Sequence, residues 1–409
     1  MAATYSLGTY NDNFFKQAAC LLAIAGGMSY LQGWAAALFT LPFVLFAGPA
    51  GFLADRFPKR HIVIASKAAE LVAMLIGAAG ILTLNWWLIL AMVGIMGLQS
   101  TVFSPALNGS IPELYPAHYV LRANSVLKMA TSISILLGII VAGLALDHKN
   151  EAWPGMTVGR VIVACGAVGV SLVGLIASFG VPLRPAANPA AKFPWKGPAD
   201  TVRVLLAIKS DRLLALVVLL DAYVWFVAAL QALLINILGM EQFALGEANT
   251  AYLLVAELLG VAIGGLVCGR VASGRRWLSV LVPAGFTLAG AMLLIGLLPM
   301  VPESMRAGGV DLPARFAAAL ALLLLAGAGG GMLLVPLEAF IQARPPADRK
   351  GQVIAAANFA AFTGMMISGL TYVIMVATMP PTAGFAVMGV MTLIGAIWLG
   401  RALKRVEDA

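Results

Sequence analysis

The chain has 409 residues, of which 61% are hydrophobic and 11% charged, with a formal net charge of +8 and a mean hydropathy of +0.95. Soluble domains carry about 25% charged residues, so this chain cannot cover a water-exposed surface and a soluble globular protein is excluded. A membrane β-barrel would show short alternating segments, whereas the apolar runs here are long and continuous. The composition therefore predicts an all-α integral membrane protein.

Windows of about 20 apolar residues, the length that crosses a bilayer as a helix, predict twelve transmembrane helices. A polar, proline-rich stretch separates the sixth span from the seventh, and its part from Asp200 to Asp211 is predicted to be an amphipathic helix. The predicted domains are an N-terminal six-helix bundle at 1–181, a cytoplasmic linker at 182–212 and a C-terminal six-helix bundle at 213–409. The predicted spans are 4–25, 34–54, 61–82, 86–110, 122–146, 158–181, 213–238, 247–272, 277–298, 314–341, 350–378 and 382–404.

The basic residues indicate the orientation in the membrane. With both termini in the cytoplasm, most of the 26 Lys and Arg residues fall in cytoplasmic loops, as the positive-inside rule expects. No nucleic-acid partner is predicted, because these residues form no single basic face. The halves also resemble each other, since Gly138 in span 5 and Gly364 in span 11 lie 226 positions apart (364 − 138). A parallel repeat of six helices is typical of alternating-access transporters.

The loop after span 2 reads Gly51-Phe-Leu-Ala-Asp55-Arg56-Phe-Pro-Lys59-Arg60. Gly51 is expected to let two helices approach closely. Asp55 is expected to bond a neighbouring helix N-terminus or an arginine, while the three basic residues hold anionic headgroups or acidic partners. These residues would form a latch that breaks when the cytoplasmic side opens. The loop resembles the signature of the major facilitator superfamily, which implies that fold.

Three further motifs carry a closer resemblance: Asn11-Asp12-Asn13-Phe14-Phe15-Lys16, Lys67-x-x-Glu70, and the segment 103–116. They look like those of the bacterial lysophospholipid transporters. The resemblance implies a transporter that moves lysophosphatidylethanolamine and related lysolipids across the bacterial inner membrane by alternating access. It also implies a cytoplasmic acyltransferase as partner, which reacylates the lipids.

Ionisable residues inside spans cost roughly 2.5–3.5 kcal/mol each at mid-membrane, so they must pair, face the bundle interior or line a wet cavity. A zwitterionic phosphoethanolamine head needs a cation for its phosphate, such as Lys67 or Lys128, and an acid for its ammonium, such as Asp12 or Glu70. The predicted substrate-binding residues are Asn11, Asp12, Asn13, Lys16, Lys67, Glu70, Asn108, Lys128, Asp221 and Glu257. Glu338, near the end of span 10, is predicted to be part of a gate.

Two alternatives stay open at this point. The intramembrane pairs can serve only to neutralise each other and orient the helices. Asp12, Asp221 or Glu257 can instead carry a coupling proton or sodium ion, and the alternative function is then a proton-coupled exporter of hydrophobic drugs or small metabolites.

Enzymatic chemistry has no support in the sequence. The three histidines and three cysteines are scattered, and neither a phosphate-binding loop nor a His-x-x-x-x-Asp acyltransferase motif occurs. The chain is therefore predicted to be a monomeric transporter with no cofactor and no metal, embedded among membrane lipids.

Overall fold

The computed structural model describes residues 2–114, 116–195, 197–271, 277–307, 310–346 and 349–407. The described residues form thirteen α-helices: α1 Ala2–Ala25, α2 Leu31–Arg56, α3 Lys59–Thr83, α4 Trp86–Leu114, α5 Ala117–Leu146, α6 Val158–Ser178, α7 Gly197–Ile208, α8 Arg212–Ile237, α9 Glu247–Val271, α10 Trp277–Gly296, α11 Ala314–Ala343, α12 Lys350–Thr378 and α13 Pro381–Glu407. A π-helical turn, Leu238–Gln242, continues α8, and a 3₁₀ turn, Leu298–Met300, follows α10.

Eleven of the described helices are long and apolar enough to cross a membrane, which confirms the predicted all-α membrane fold. Helix α1 has 24 residues, the length of a span, but it falls outside those eleven because its polar residues, among them Asn11, Asp12, Asn13, Lys16 and Gln17, lower its mean hydropathy. Helix α7 has only 12 residues, about 18 Å at 1.5 Å per residue, and cannot cross a core of about 30 Å. It begins and ends three residues earlier than predicted.

The chain divides into two compact units, Met1–Val202 and Arg203–Ala409, with the division inside α7. The principal helix pairs follow one scheme in both units. In the first unit, α1 packs against α5, α2 against α4, and α3 against α4 and α6. In the second unit, α8 packs against α12, α9 against α11, and α10 against α11 and α13. Each unit therefore contains six long helices that pack in the same order.

The two glycines that correspond between the halves of the sequence lie at equivalent helix crossings. A Cβ atom added at Gly138 of α5 would lie 2.6 Å from the backbone oxygen of Tyr10 in α1. A Cβ atom added at Gly364 of α12 would lie 2.6 Å from the backbone oxygen of Ala222 in α8. Only glycine fits at such a backbone contact, so both positions keep the first and fifth long helices of their units together.

The expectation for Gly51 is wrong. Among the described residues, a Cβ atom added there would meet nothing within 4 Å, so no close approach between described helices depends on this glycine. The tight contact of α2 lies instead at Gly97 of α4, where an added Cβ would clash with the backbone of Phe39.

Two short antiparallel hairpins, which the sequence analysis did not predict, lie in the connections between helices. Strands β1 (Glu151–Trp153) and β2 (Met156–Thr157) pair between α5 and α6. Strands β3 (Met305–Ala307) and β4 (Val310–Leu312) pair between α10 and α11.

Candidate functional site

In the first unit, a buried ion pair lies on α3 where this helix faces α1 and α4. The Nζ atom of Lys67 lies 2.6 Å from Oε2 of Glu70, and the two side chains are only 1% and 2% exposed. Lys67 Nζ also lies 5.2 Å from the centre of the Phe103 ring. A Cβ atom at Gly8 of α1 would clash with this ammonium group, so the glycine makes room for it. The predicted neighbours at i and i+3 thus meet as a closed pair.

Asn11 of α1 extends this pair toward α6. Its side chain is fully buried, and its Nδ2 donates to Glu70 Oε1 at 3.4 Å and to the backbone oxygen of Ala167 at 3.1 Å. The amide therefore ties α1 to α3 and α6 at one point. Asn13 behaves differently, because its Nδ2 donates to the Thr9 oxygen of the same helix at 2.8 Å.

Asp12 has an incomplete set of partners. Its Oδ2 accepts a hydrogen bond from the Ser100 hydroxyl of α4 at 3.2 Å, and Gln99 Nε2 donates to the same hydroxyl oxygen at 2.9 Å. The other carboxylate oxygen, Oδ1, is buried and has no hydrogen-bond partner among the described residues. A buried acceptor left unpaired costs about 1–3 kcal/mol, so this oxygen is a strong candidate for a ligand contact.

Lys16 lies one helical turn from Asp12 on α1, and the two charges interact. Its Nζ lies 4.1 Å from the centre of the Phe39 ring of α2, a cation–π contact. No described carboxylate lies within ion-pair distance of this ammonium group. One face of α1 therefore presents an acid and a base about 5–6 Å apart at their Cβ atoms.

Asp221, Glu257 and Glu338 are buried or half-buried carboxyl groups within the spans of the second unit. Asp221 of α8 is 5% exposed, its Oδ1 has no hydrogen-bond partner among the described residues, and its charge interacts with that of Glu338 in α11. Glu257 of α9 is 6% exposed. The basic residues of the described long helices in this unit lie instead at or near helix ends: Arg212, Arg270, Arg315, Arg344, Lys350, Arg401, Lys404 and Arg405.

Two predicted ligands lie outside the described side chains. Asn108 and Lys128 fall on the described backbone of α4 and α5, but their side chains are not among those the structure describes. Their roles remain predictions.

The loop residues predicted to form a latch contact the first unit's own chain. Arg56 donates to the Ala191 oxygen at 2.8 Å, and the Asp55 backbone oxygen accepts from the Asn188 amide at 2.8 Å. Arg60 donates to the Phe179 oxygen at 3.0 Å, beyond the end of α6. Lys59 is buried, with 5% of its surface exposed. A Cβ atom added at Gly109 of α4 would lie only 2.8 Å from the Cε atom of Lys59. Lys59 is therefore packed against α4 rather than held out for a headgroup, and the gating role stays a prediction.

An ion pair that the sequence analysis missed lies at the start of α8. Arg344 Nε donates to Asp211 Oδ2 at 2.9 Å, and Asp211 Oδ1 caps the helix by accepting from the Leu214 amide at 3.1 Å. Burial alone would raise the pKa of Asp211, but these hydrogen bonds and the Arg344 charge outweigh it and lower the pKa below its ordinary value. An aspartate directly before an apolar helix is a recognisable capping signal. The arginine partner, 133 positions away, has no local signal.

Ser100 and Gln99 were also missed. Together with Thr101 they form a polar run within the apolar α4, and this run is the signal that could have indicated an inward-facing polar position.

The helix order, the paired six-helix units and the intramembrane charges define a multi-pass membrane transporter. Residues 14–369 match the family described as the Major Facilitator Superfamily. The chain belongs to this superfamily and is a secondary transporter, not an enzyme.

Curated relatives cover nearly the whole chain. The lysophospholipid transporter LplT of Enterobacter sp. (strain 638) is 25% identical over 405 residues, covering 96% of this chain and 90% of the relative. The lysophospholipid transporter LplT of Escherichia coli (strain SE11) is 26% identical over 410 residues, covering 96% and 93%.

Solved structures share the fold at lower identity. A D-xylose-proton symporter has a TM-score of 0.73 at 15% identity, covering 97% of this chain and 95% of the other. An inward-facing bacterial homologue of the human lysosomal transporter Spinster has a TM-score of 0.65 at 14% identity, covering 97% and 95%.

Proposed function

We propose that this protein moves lysophospholipids of the phosphoethanolamine type across the bacterial inner membrane by alternating access, with both termini in the cytoplasm. The observation that carries the proposal is the placement of Asp12 and Lys16 one turn apart on one face of α1, where the Oδ1 atom of Asp12 is buried without a partner among the described residues. The similarity to lysophospholipid transporters over 96% of the chain supports the substrate class.

In this proposal Asp12 accepts hydrogen bonds from the substrate ammonium, and Lys16 donates to the phosphate. The substrate head carries both charges a short distance apart, as α1 does with its acid and base one turn apart. Binding satisfies the free oxygen of Asp12, and the phosphate replaces Phe39 as the contact of Lys16. The Lys67–Glu70 pair already neutralises itself, so we assign it to positioning α1 through Asn11.

The remaining predicted residues complete the proposal. Lys128 and Asn108 add further phosphate and hydrogen-bond contacts, while Asp221 and Glu257 supply negative charge in the second six-helix bundle, at 213–409. The charged latch residues Asp55, Arg56, Lys59 and Arg60 act at the gate together with Glu338. A cytoplasmic acyltransferase then acylates the delivered lysolipid, which keeps the transport direction inward by consuming the product.

Uptake of labelled lysophosphatidylethanolamine into spheroplasts tests the assignment. We expect Asp12→Asn to reduce uptake about tenfold or more, because a hydrogen bond to a charged group contributes about 1.5–3 kcal/mol. Asp147→Asn is the matched control, since Asp147 is exposed just beyond the end of α5.

Comparing lipids with different headgroups distinguishes the role of the Asp12 charge from that of the Lys16 charge. Lysophosphatidylglycerol has a phosphate but no ammonium, so Lys16→Gln should weaken its binding as much as that of lysophosphatidylethanolamine, whereas Asp12→Asn should weaken only the latter. Equal uptake with and without the protein would reject the substrate, and equal effects of Asp12→Asn on both lipids would reject the role of Asp12.

A second candidate is the proton-coupled exporter. The observation that favours it is the Asp221 carboxyl group, whose free Oδ1 and like-charged neighbour Glu338 suit a proton site. Under this alternative, the wild-type protein confers drug resistance and takes up no lysolipid. Asp221→Asn then abolishes the drug resistance. Lysolipid uptake that persists when the proton gradient is dissipated counts against it.

A further inference from the structure

A cavity of about 270 Å³ opens between α8, α10, α11 and α13 of the second unit. Its rim is exposed on the unit's surface, with Leu219 64%, Met391 51% and Trp398 55% exposed. All four helices are among those long and apolar enough to cross a membrane, so this opening lies at the depth of the hydrocarbon core.

The lining of the cavity suits an apolar occupant. Among the described residues that line it, the Tyr223 and Thr392 hydroxyls bond each other at 2.7 Å, and the Thr392 hydroxyl also lies 2.8 Å from the Met388 oxygen to which it donates. Apart from the Trp398 indole, the rest of the lining consists of Leu, Met, Ala and Gly. Since the polar side-chain groups of the described lining are only these two bonded hydroxyls and the indole of the exposed Trp398, the cavity fits a hydrocarbon chain.

The cavity has the depth and direction of one lipid leaflet. Its lining on α13 runs from Met391 to Leu399, about 12 Å at 1.5 Å per residue, against about 15 Å for half of a bilayer core. Trp398 lies at the end nearer the helix terminus, the level at which tryptophan is enriched in membrane proteins.

Positive charge lies beyond that same end. Arg401 follows Trp398 by three residues on α13, and Arg212 precedes Leu216 by four on α8, so each lies on the face that lines the cavity. The start of α8 and the end of α13 are on one side of the membrane, because six successive spans alternate in direction. Two exposed arginines therefore stand where a phosphate would be if its acyl chain entered the cavity.

We propose that this cavity binds one acyl chain of an anionic diacyl phospholipid, whose phosphate contacts Arg212 and Arg401. The bound lipid is a resident component rather than a transported molecule. It fills the space between α8 and α13 and stabilises their packing. The proposal uses no residue of the α1 site and does not depend on the transported substrate.

Photolabelling in nanodiscs tests the proposal. The full-length protein is reconstituted with phosphatidylglycerol or phosphatidylcholine carrying a diazirine on one acyl chain, and labelled peptides are mapped by mass spectrometry after illumination. We expect phosphatidylglycerol to label the α8 and α13 residues that line the cavity at least threefold more than phosphatidylcholine does.

Two glycines provide a matched pair of variants. A Cβ atom at either Gly395 or Gly290 would meet nothing within 4 Å, but only Gly395 lines the cavity. Gly395→Leu places a side chain in the cavity and should lower labelling of its lining at least fivefold, whereas Gly290→Leu should leave it unchanged. Replacing Arg212 and Arg401 with Gln should remove the preference for phosphatidylglycerol, and Arg184→Gln, in the linker, should retain it.

Three outcomes would overturn the proposal. Uniform labelling of all lipid-facing helices would show ordinary lipid contact, and equal labelling in Gly395→Leu and Gly290→Leu would place the lipid elsewhere. Competition by excess lysophosphatidylethanolamine would show that the cavity belongs to the substrate route. Photolabelling measures lipid binding and does not require transport. It therefore tests this proposal even if the uptake assay rejects the proposed function.

Discussion

At the scale of single residues, the buried charges of the first unit divide into a satisfied pair and an unsatisfied site. Lys67 and Glu70 neutralise each other at 2.6 Å, and Glu70 accepts a hydrogen bond from Asn11. Asp12, one residue further along α1, keeps an oxygen without a partner among the described residues. Adjacent polar residues on one helix thus differ: the Nδ2 of Asn11 ties α1 to α3 and α6, and Asp12 is the residue that the proposed function assigns to binding.

The buried pair gives a prediction on stability. Lys67→Met and Glu70→Met should each destabilise the protein by about 3–5 kcal/mol, because removing one partner leaves the other charge buried and unpaired. The double variant Lys67→Met with Glu70→Met should be more stable than either single variant, since no charge then remains. Thermal unfolding in detergent measures the stability of all three variants. Additive losses in the double variant would contradict the pairing as the source of the effect.

The Asp211–Arg344 contact gives a prediction on pH. Because the pKa of Asp211 is lowered on folding, its carboxylate stabilises the folded state above the unfolded pKa of about 3.9, and this contribution is lost as the pH falls through the folded pKa. Asp211→Asn keeps the helix cap but removes the charge. We expect this variant to be less stable than wild type at pH 7 by less than about 1 kcal/mol, since Arg344 is 49% exposed.

Melting temperatures measured across this pH range check the prediction. The difference between wild type and Asp211→Asn should shrink steadily as the pH falls below about 4. A difference that stayed constant down to pH 2.5 would assign the effect to helix capping rather than to the charge.

At the scale of helices, the crossing of α9 and α11 depends on glycine. A Cβ atom at Gly331 would clash with the backbone of Val261, while one at the neighbouring Gly330 would meet nothing within 4 Å. Gly331→Ala should therefore force the helices apart and cost about 1–3 kcal/mol. Gly330→Ala should be neutral or stabilise by up to about 1 kcal/mol, because alanine favours the helix.

Thermal unfolding of the two alanine variants tests this crossing. The substitutions are chemically identical and adjacent, so a general effect of adding a methyl group cancels. Similar melting temperatures would mean that α9 and α11 do not approach as closely as the structure shows.

The sequence predicts the helices well and their contacts only in part. Apolar runs determine where helices lie, so the predicted spans agree with the described helices to within several residues. Local spacing also predicts Lys67 beside Glu70, which are three residues apart. The hydrogen bond from Ser100 to Asp12 joins residues 88 positions apart, and no periodicity reveals such a contact. The hairpins were missed because strands of two or three residues have no measurable alternation.

At the scale of the whole molecule, the orientation of the chain depends on whether α1 crosses the membrane. Eleven apolar spans alone would place the two termini on opposite sides, and α1 as a twelfth span returns them to one side. Helix α1 packs against α5 and α6, and its Phe14 and Phe15 are at most 1% exposed. A helix enclosed by two spanning helices lies at membrane depth, where its polar residues face the interior of the unit.

We therefore expect epitope tags at the two ends of the chain to be on the same side, the cytoplasmic one by the positive-inside rule. Both tags should resist protease in intact spheroplasts and be cleaved after permeabilisation. A third tag, inserted between β1 and β2, should be cleaved in intact spheroplasts, because one span separates this hairpin from the linker. Cleavage of the N-terminal tag alone in intact cells would show that α1 does not cross, and the proposed charge site on α1 would then lose its place within the membrane.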